Sequence, residues 1–94
     1  QAFKTVPGSF SCEPNFPNPF NPATTIRYSL AEAADVSLNI YNLNGQLVET
    51  LVREHQSAGS YQATWHTDDY PSGIYIYRFQ AGSFSAVRRM TLLK

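Results

Sequence analysis

A chain of 94 residues has material for one domain with one apolar core, near the small end of the range in which burial alone stabilises a fold. Apolar residues make up 43% and aromatics 14%, with six Phe and six Tyr, which excludes a disordered chain and suits a packed β protein. Seven basic side chains offset seven acidic ones, so no net field draws the molecule to nucleic acid or an anionic membrane surface.

Residues 1–14, QAFKTVPGSFSCEP, mix Pro, Gly and Ser with scattered apolar residues and carry no helical or strand periodicity. They read as a linker from an upstream domain, with the folded domain expected over residues 15–94. Cys12 is the single cysteine, so it forms no intrachain disulfide, and it is expected in the leader ahead of the fold. No apolar run reaches the roughly 18 residues of a membrane-spanning helix, and no signal peptide is visible. Gln1 in place of an initiator Met predicts a piece of a longer protein.

Pro17, Pro19 and Pro22 fall within six positions of one another, directly ahead of a stretch that alternates as a strand. Each proline lacks an amide donor and fixes φ, so the run is confined to a sheet edge, where it stops another chain from adding on. Phe16 and Phe20 are expected to plug the end of the fold beside it. In residues 24–30 Ile26, Tyr28 and Leu30 share one face and Thr25, Arg27 and Ser29 the other, a half-buried strand. The segment LAEAAD is the one place where a helical turn is expected.

Val36, Leu38 and Ile40 then alternate inward, and Asn44-Gly45 offers the positive φ that a tight hairpin demands. On the return, Leu47, Val48, Leu51 and Val52 do not alternate cleanly, which a bulge near Glu49-Thr50 explains; a helix has the same spacing, but the hairpin leaves it no cap. Tyr61, Ala63 and Trp65 alternate in the next strand. After the turn residues HTDDYPSG, Ile74 and Ile76 oppose Tyr75, Tyr77 and Phe79 in a strand expected to be covered on both faces. The last strand places Phe84, Ala86, Met90 and Leu92 in one register. Six or seven short strands separated by Gly, Asn and Pro turns predict an all-β, antiparallel β-sandwich.

Little in the residues points to chemistry. His55, His66, Asp68 and Asp69 are the candidate metal cluster, but no His-x-x-x-His or paired cysteine accompanies them, and Asp68 is better read as capping turn amides. No nucleophile elbow or phosphate-cradling Gly loop is present, and Glu49 and Glu54 are expected on an outward strand edge, so no catalytic residue, metal or cofactor is assigned. Trp65, Tyr70, Tyr75 and Tyr77 raise a second reading, an aromatic sugar platform or spacer in a secreted glycoside hydrolase. Core packing is the stronger expectation, because Tyr75 stands after Gly73 where immunoglobulin-like sandwiches carry their tyrosine corner. From Arg78 on, Arg88, Arg89 and Lys94 follow with no acid, a local positive charge.

Four stretches taken in order, NFPNPFNPATTIRYSL, VSLNIYNLNGQLVETLV, AGSYQATWH and SGIYIYRF with its MTLLK ending, resemble the C-terminal sorting domain of type IX secretion cargo. That family is also similar to the immunoglobulin-like domain of the flagellar hook-capping protein. The resemblance covers about residues 14–94. It implies a non-enzymatic immunoglobulin-like sandwich of about seven strands that carries an upstream passenger across the outer membrane. Its implied partners are the type IX translocon and a sortase-like peptidase, with no nucleic acid or small-molecule substrate, a monomeric state, and a secreted or cell-surface destination reached through the periplasm. Pro71, Gly73 and Tyr75 match the family's Pro-x-Gly-x-Tyr motif and Arg89 and Lys94 its basic tail, so the resemblance assigns these five to translocon recognition. Pro17, Pro19, Phe20, Pro22, Asn44, Gly45 and Trp65 fall to its structural motif, and the ending at Lys94 fits a natural C-terminus. Ala31 replaces a usual Pro, Asn42 and Gln46 replace a usual Asp and Arg, and the loop over residues 66–72 is short.

Overall fold

A computed structural model describes residues 8–94, all-β and without a helix among them. Residues 1–7 of the expected linker lie outside the described residues. The strands are β1 (Ser11–Cys12), β2 (Ala23–Leu30), β3 (Ala34–Asn42), β4 (Leu47–Gln56), β5 (Gly59–His66), β6 (Gly73–Ala81) and β7 (Phe84–Leu92). They form two antiparallel sheets, ordered β1-β2-β5 and β4-β3-β6-β7, which close as a sandwich of the expected immunoglobulin-like kind. Residues 31–33, expected to hold a helical turn, instead bend the chain from one sheet to the other, since Leu30 and Ala34 are both needed in strands on the core.

Alternation decides which side chains face inward. β2 buries Thr24, Ile26, Tyr28 and Leu30, β3 buries Val36, Leu38 and Ile40, and β6 buries Tyr75, Tyr77, Phe79 and Ala81. Trp65 from β5 and Met90 and Leu92 from β7 complete the interior. Ile74 and Ile76 are half-buried on the outer face. The broken alternation of β4 has the cause the sequence suggested. Asn39 and Ile40 pair with Thr50 and Glu49, and the register shifts on either side leave Leu51 and Val48 as the extra residues. Both lean onto the core.

The Asn44-Gly45 turn closes β3 onto β4 with Gly45 at φ 83°, the left-handed region that a side chain disfavours. Asn42 supports it, its Oδ1 accepting the Asn44 and Gln46 amides at 2.9 and 3.1 Å while its Nδ2 donates to Gln46 Oε1 at 2.8 Å. The two residues that depart from the family's usual Asp and Arg thus bond to each other across the turn.

Cys12 is not in a leader ahead of the fold. It pairs with Tyr28 in β1 and is buried in the core, with its carbonyl accepting Arg88 Nε at 3.0 Å. Beside it, the Tyr77 hydroxyl donates to the Glu13 carbonyl at 2.8 Å. Two residues suffice for β1 because Arg88 of β7 and Tyr77 of β6 hold the backbone at Cys12 and Glu13 from the opposite sheet, a tether that no periodicity in the sequence announces.

Burial pushes the Cys12 thiol up to about 11, the nearby Arg88 charge opposing the rise, and burial likewise raises the Tyr77 hydroxyl. An unfolded chain loses these protons at lower pH than the folded one, so the folded state loses ground as pH climbs. We expect the urea midpoint to be insensitive to Cys12 at neutral pH and to fall from about pH 9, the ordinary thiol value, toward pH 11. Cys12→Ala should flatten the first part of that decline, and an equal decline in the variant would contradict the assignment.

Candidate functional site

The proline run and the C-terminal strand meet at one end of the sandwich. Phe16 bridges to Thr25 on the open edge of β2, with its amide and carbonyl bonded at 2.9 Å each. The chain then crosses to the other sheet, where the Phe20 amide donates to the Thr91 carbonyl and the Phe20 carbonyl accepts the Leu93 amide, both at 3.0 Å. Asn18 Oδ1 accepts the Thr91 amide at 3.0 Å. The Phe16-Pro17, Asn18-Pro19 and Asn21-Pro22 bonds are cis. Between them, donors from the body fix the prolines' free carbonyls: Thr24 Oγ1 donates to Pro17 O at 2.8 Å, and the Thr67 amide and hydroxyl both donate to Pro22 O. Asn15 and Thr24, bonded to each other at 3.0 Å, are buried in this junction.

The two phenylalanines part company here. Phe20 is 2% exposed and packs on Trp65 with ring centroids 5.8 Å apart, as a plug should. Phe16 is 79% exposed and plugs nothing. Its backbone bonds to β2 fix the chain direction, and alternation then turns its ring to solvent.

Around Trp65 the interior is aromatic and polar at once. Tyr75 meets it edge-on at 5.1 Å and Tyr70 at 5.2 Å. Glu54 is exposed at the β4 edge, as expected, but Glu49 is half-buried. Its register opposite Ile40 aims it inward, and its Oε1 accepts Trp65 Nε1 at 3.2 Å and the Tyr70 hydroxyl at 2.9 Å. Desolvation raises the Tyr70 hydroxyl, and the Glu49 carboxylate that accepts its proton raises it further. The bulges on either side of Glu49 are the sequence signal for this residue, although they do not reveal its partners.

Trp65, Tyr75 and Tyr77 are buried, so they form no sugar-binding platform. Tyr75 makes the tyrosine corner instead, its hydroxyl donating to the Pro71 carbonyl at 2.7 Å. Asp68, expected to cap amides, enters the turn through its main chain. Tyr70 N donates to Thr67 O at 3.1 Å, and Lys94 reaches across, its Nζ to the Asp68 carbonyl at 2.9 Å and its amide to Ser72 Oγ at 3.0 Å. His66 ends β5, and His55 pairs with Asp35 at 2.8 Å across β3 and β4. No group of three or more His, Cys, Asp or Glu suited to a metal ion occurs among the described residues.

Four of the five residues assigned to recognition therefore converge. Pro71, Gly73 and Tyr75 build the turn into β6, Gly73 pairs with Leu92, and Lys94 lies on that turn. Arg89 stands apart on the outer face of β7, opposite Ile76. Tyr75 is 4% exposed, so its side chain acts from inside. Asn15, Asn18 and Thr67, none of them singled out by pattern, are as much a part of the junction as the prolines.

A family model described as the secretion system C-terminal sorting domain matches residues 15–92. The chain belongs to this family. A type IX sorting signal, and with it export to the cell surface or beyond, follows from that membership. No curated protein and no solved structure matches the chain.

Replacing Phe20 with Ala should cost about 3–5 kcal/mol in urea unfolding, since it empties the site against Trp65. Phe16→Ala should change stability by less than about 0.5 kcal/mol. Equal losses for the two would show that the crossing segment is held by something other than the Phe20 plug.

Proposed function

We propose that this sorting domain acts as a folded, non-enzymatic address at the C-terminal end of a larger cargo, its folded body running from β1 to residue 94. The type IX translocon reads it in the periplasm, the cargo crosses the outer membrane, and a sortase-like peptidase then separates or transfers it at the surface. The observation that carries this reading is the seating of Lys94 on the turn between β5 and β6, which joins the tail and the Pro-x-Gly-x-Tyr motif into one surface.

Roles divide by exposure. Lys94 and Arg89 are exposed and available to a receptor, while Tyr75 and the Pro71 carbonyl hold the turn in shape from behind. Met90 and Leu92 belong to the core, so removing the tail damages the fold together with any signal. Substitutions at exposed atoms are the cleaner probe.

Residues 8–94, which include β1, placed behind a signal peptide and a reporter in a type IX competent host, should bring the reporter outside. Lys94→Ala combined with Arg89→Ala should lower the exported fraction severalfold while leaving the urea midpoint nearly unchanged. Periplasmic retention of the unmodified fusion would overturn the reading, and full export of the double variant would remove these two residues from it.

A further inference from the structure

The outer face of the four-stranded sheet has a composition unlike the rest of the surface. Strand register places Leu47, Tyr41, Ile76 and Arg89 side by side in one row across β4, β3, β6 and β7. The next row outward is Thr50, Asn39, Arg78 and Val87, and Arg53 follows beyond Thr50 on β4. Leu47 is 56% exposed and Val87 63%, high values for large apolar side chains, and no element among the described residues covers them. Tyr41 and Ile76 are half-buried between them.

Charge on this face is mainly positive. Arg53, Arg78 and Arg89 are exposed, and none has an ion-pair partner among the described residues. Arg78 and Arg89 are diagonal neighbours on adjacent strands, roughly 7–8 Å apart by sheet geometry. Acids that the sequence places nearby are turned away: Glu49 is bonded to Trp65 and Tyr70, and Glu54 lies on the side of Val36. Asp35 is the carboxylate left on the face, at its far end and bonded to His55.

We propose that this face docks a protein partner whose contacting surface sets carboxylates around an apolar centre. Three guanidinium forks suit bidentate carboxylates, and the row through Tyr41 and Ile76 supplies the apolar, aromatic middle on which protein interfaces concentrate their energy. Leu47 and Val87 stand at opposite edges of a flat sheet face and form no continuous amphipathic stripe to enter acyl chains, and the face carries Arg without Lys, which favours an acidic protein over a lipid surface. The inference goes beyond the sorting reading and does not depend on it, because the contact should form in solution whether or not the chain is exported.

The test is amide chemical-shift mapping of the intact chain titrated with a synthetic peptide alternating Glu with Leu. Vesicles of phosphatidylglycerol and phosphatidylcholine serve as a second probe in a separate titration. Saturable shifts on β3, β6 and β7 around Tyr41, Ile76 and Arg89 are expected, weakening as salt is raised. Arg78→Glu with Arg89→Glu should reduce peptide affinity at least about tenfold, as charge reversal at a complementary contact does. Arg27→Glu, on the opposite sheet, should change it less than about twofold. Unchanged spectra with the peptide, shifts centred on β2 and β5, or equal loss in both variants would overturn the proposal. Binding to the vesicles but not to the peptide would overturn it in favour of a lipid surface.

Discussion

Phe20 donates its amide to Thr91 and accepts the Leu93 amide, and through that short parallel bridge the proline segment holds the end of the last strand. Everything at this end of the sandwich depends on it. The segment that makes the bridge has already been fastened to β2 by Phe16, so it spans both sheets and closes the gap between their edges. Prolines suit such a crossing because they leave carbonyls free and withhold amides. Here those carbonyls are taken up by Thr24 and Thr67, whose side chains are buried for the purpose. A crossing of ordinary residues would present further unpaired amides along an open margin, an invitation to strand addition.

That closure gives the sorting surface its form. With Leu92 held in the core and Leu93 bonded to Phe20, Lys94 is delivered onto the turn that Tyr75 braces through Pro71. Tail and turn are far apart in sequence and adjacent in space, and each is positioned by buried side chains, Leu92 and Tyr75. A family motif such as Pro-x-Gly-x-Tyr is thereby read as architecture first: its tyrosine supports the turn, and Lys94 lies exposed upon it. The other exposed feature, the arginine-lined face of the larger sheet, is built by the same strands and shares Arg89 with the residues assigned to recognition, but lies apart from the Lys94 turn.

Most of the fold was legible from alternation. Ile26, Tyr28 and Leu30, then Val36, Leu38 and Ile40, announced both their strands and their buried faces, and the irregular apolar positions of β4 announced its bulges. Legibility failed where position is set by long-range hydrogen bonds. Ser11 and Cys12 form a strand because Arg88 and Tyr77 bind the backbone beside them, and two residues carry no period. Phe16 and Phe20 look alike in sequence, yet the crossing between sheets turns one ring out and the other in. Glu49 looked like a surface carboxylate because its donors, Trp65 and Tyr70, lie 16 and 21 residues further on. The junction residues Asn15, Asn18 and Thr67 were silent for the same reason, while the family resemblance pointed correctly to the membership that the chain's residues 15–92 bear out.

The proline segment and the C-terminal strand should open as one unit. Native-state hydrogen exchange, followed at the Phe20, Thr91 and Leu93 amides, measures this directly. The account predicts that the three exchange with a common opening free energy close to that of the Trp65 core, and that Asn18→Ala lowers all three together. Rapid exchange at Thr91 and Leu93 while Phe20 stays protected would mean that the tail frays independently, and would contradict it.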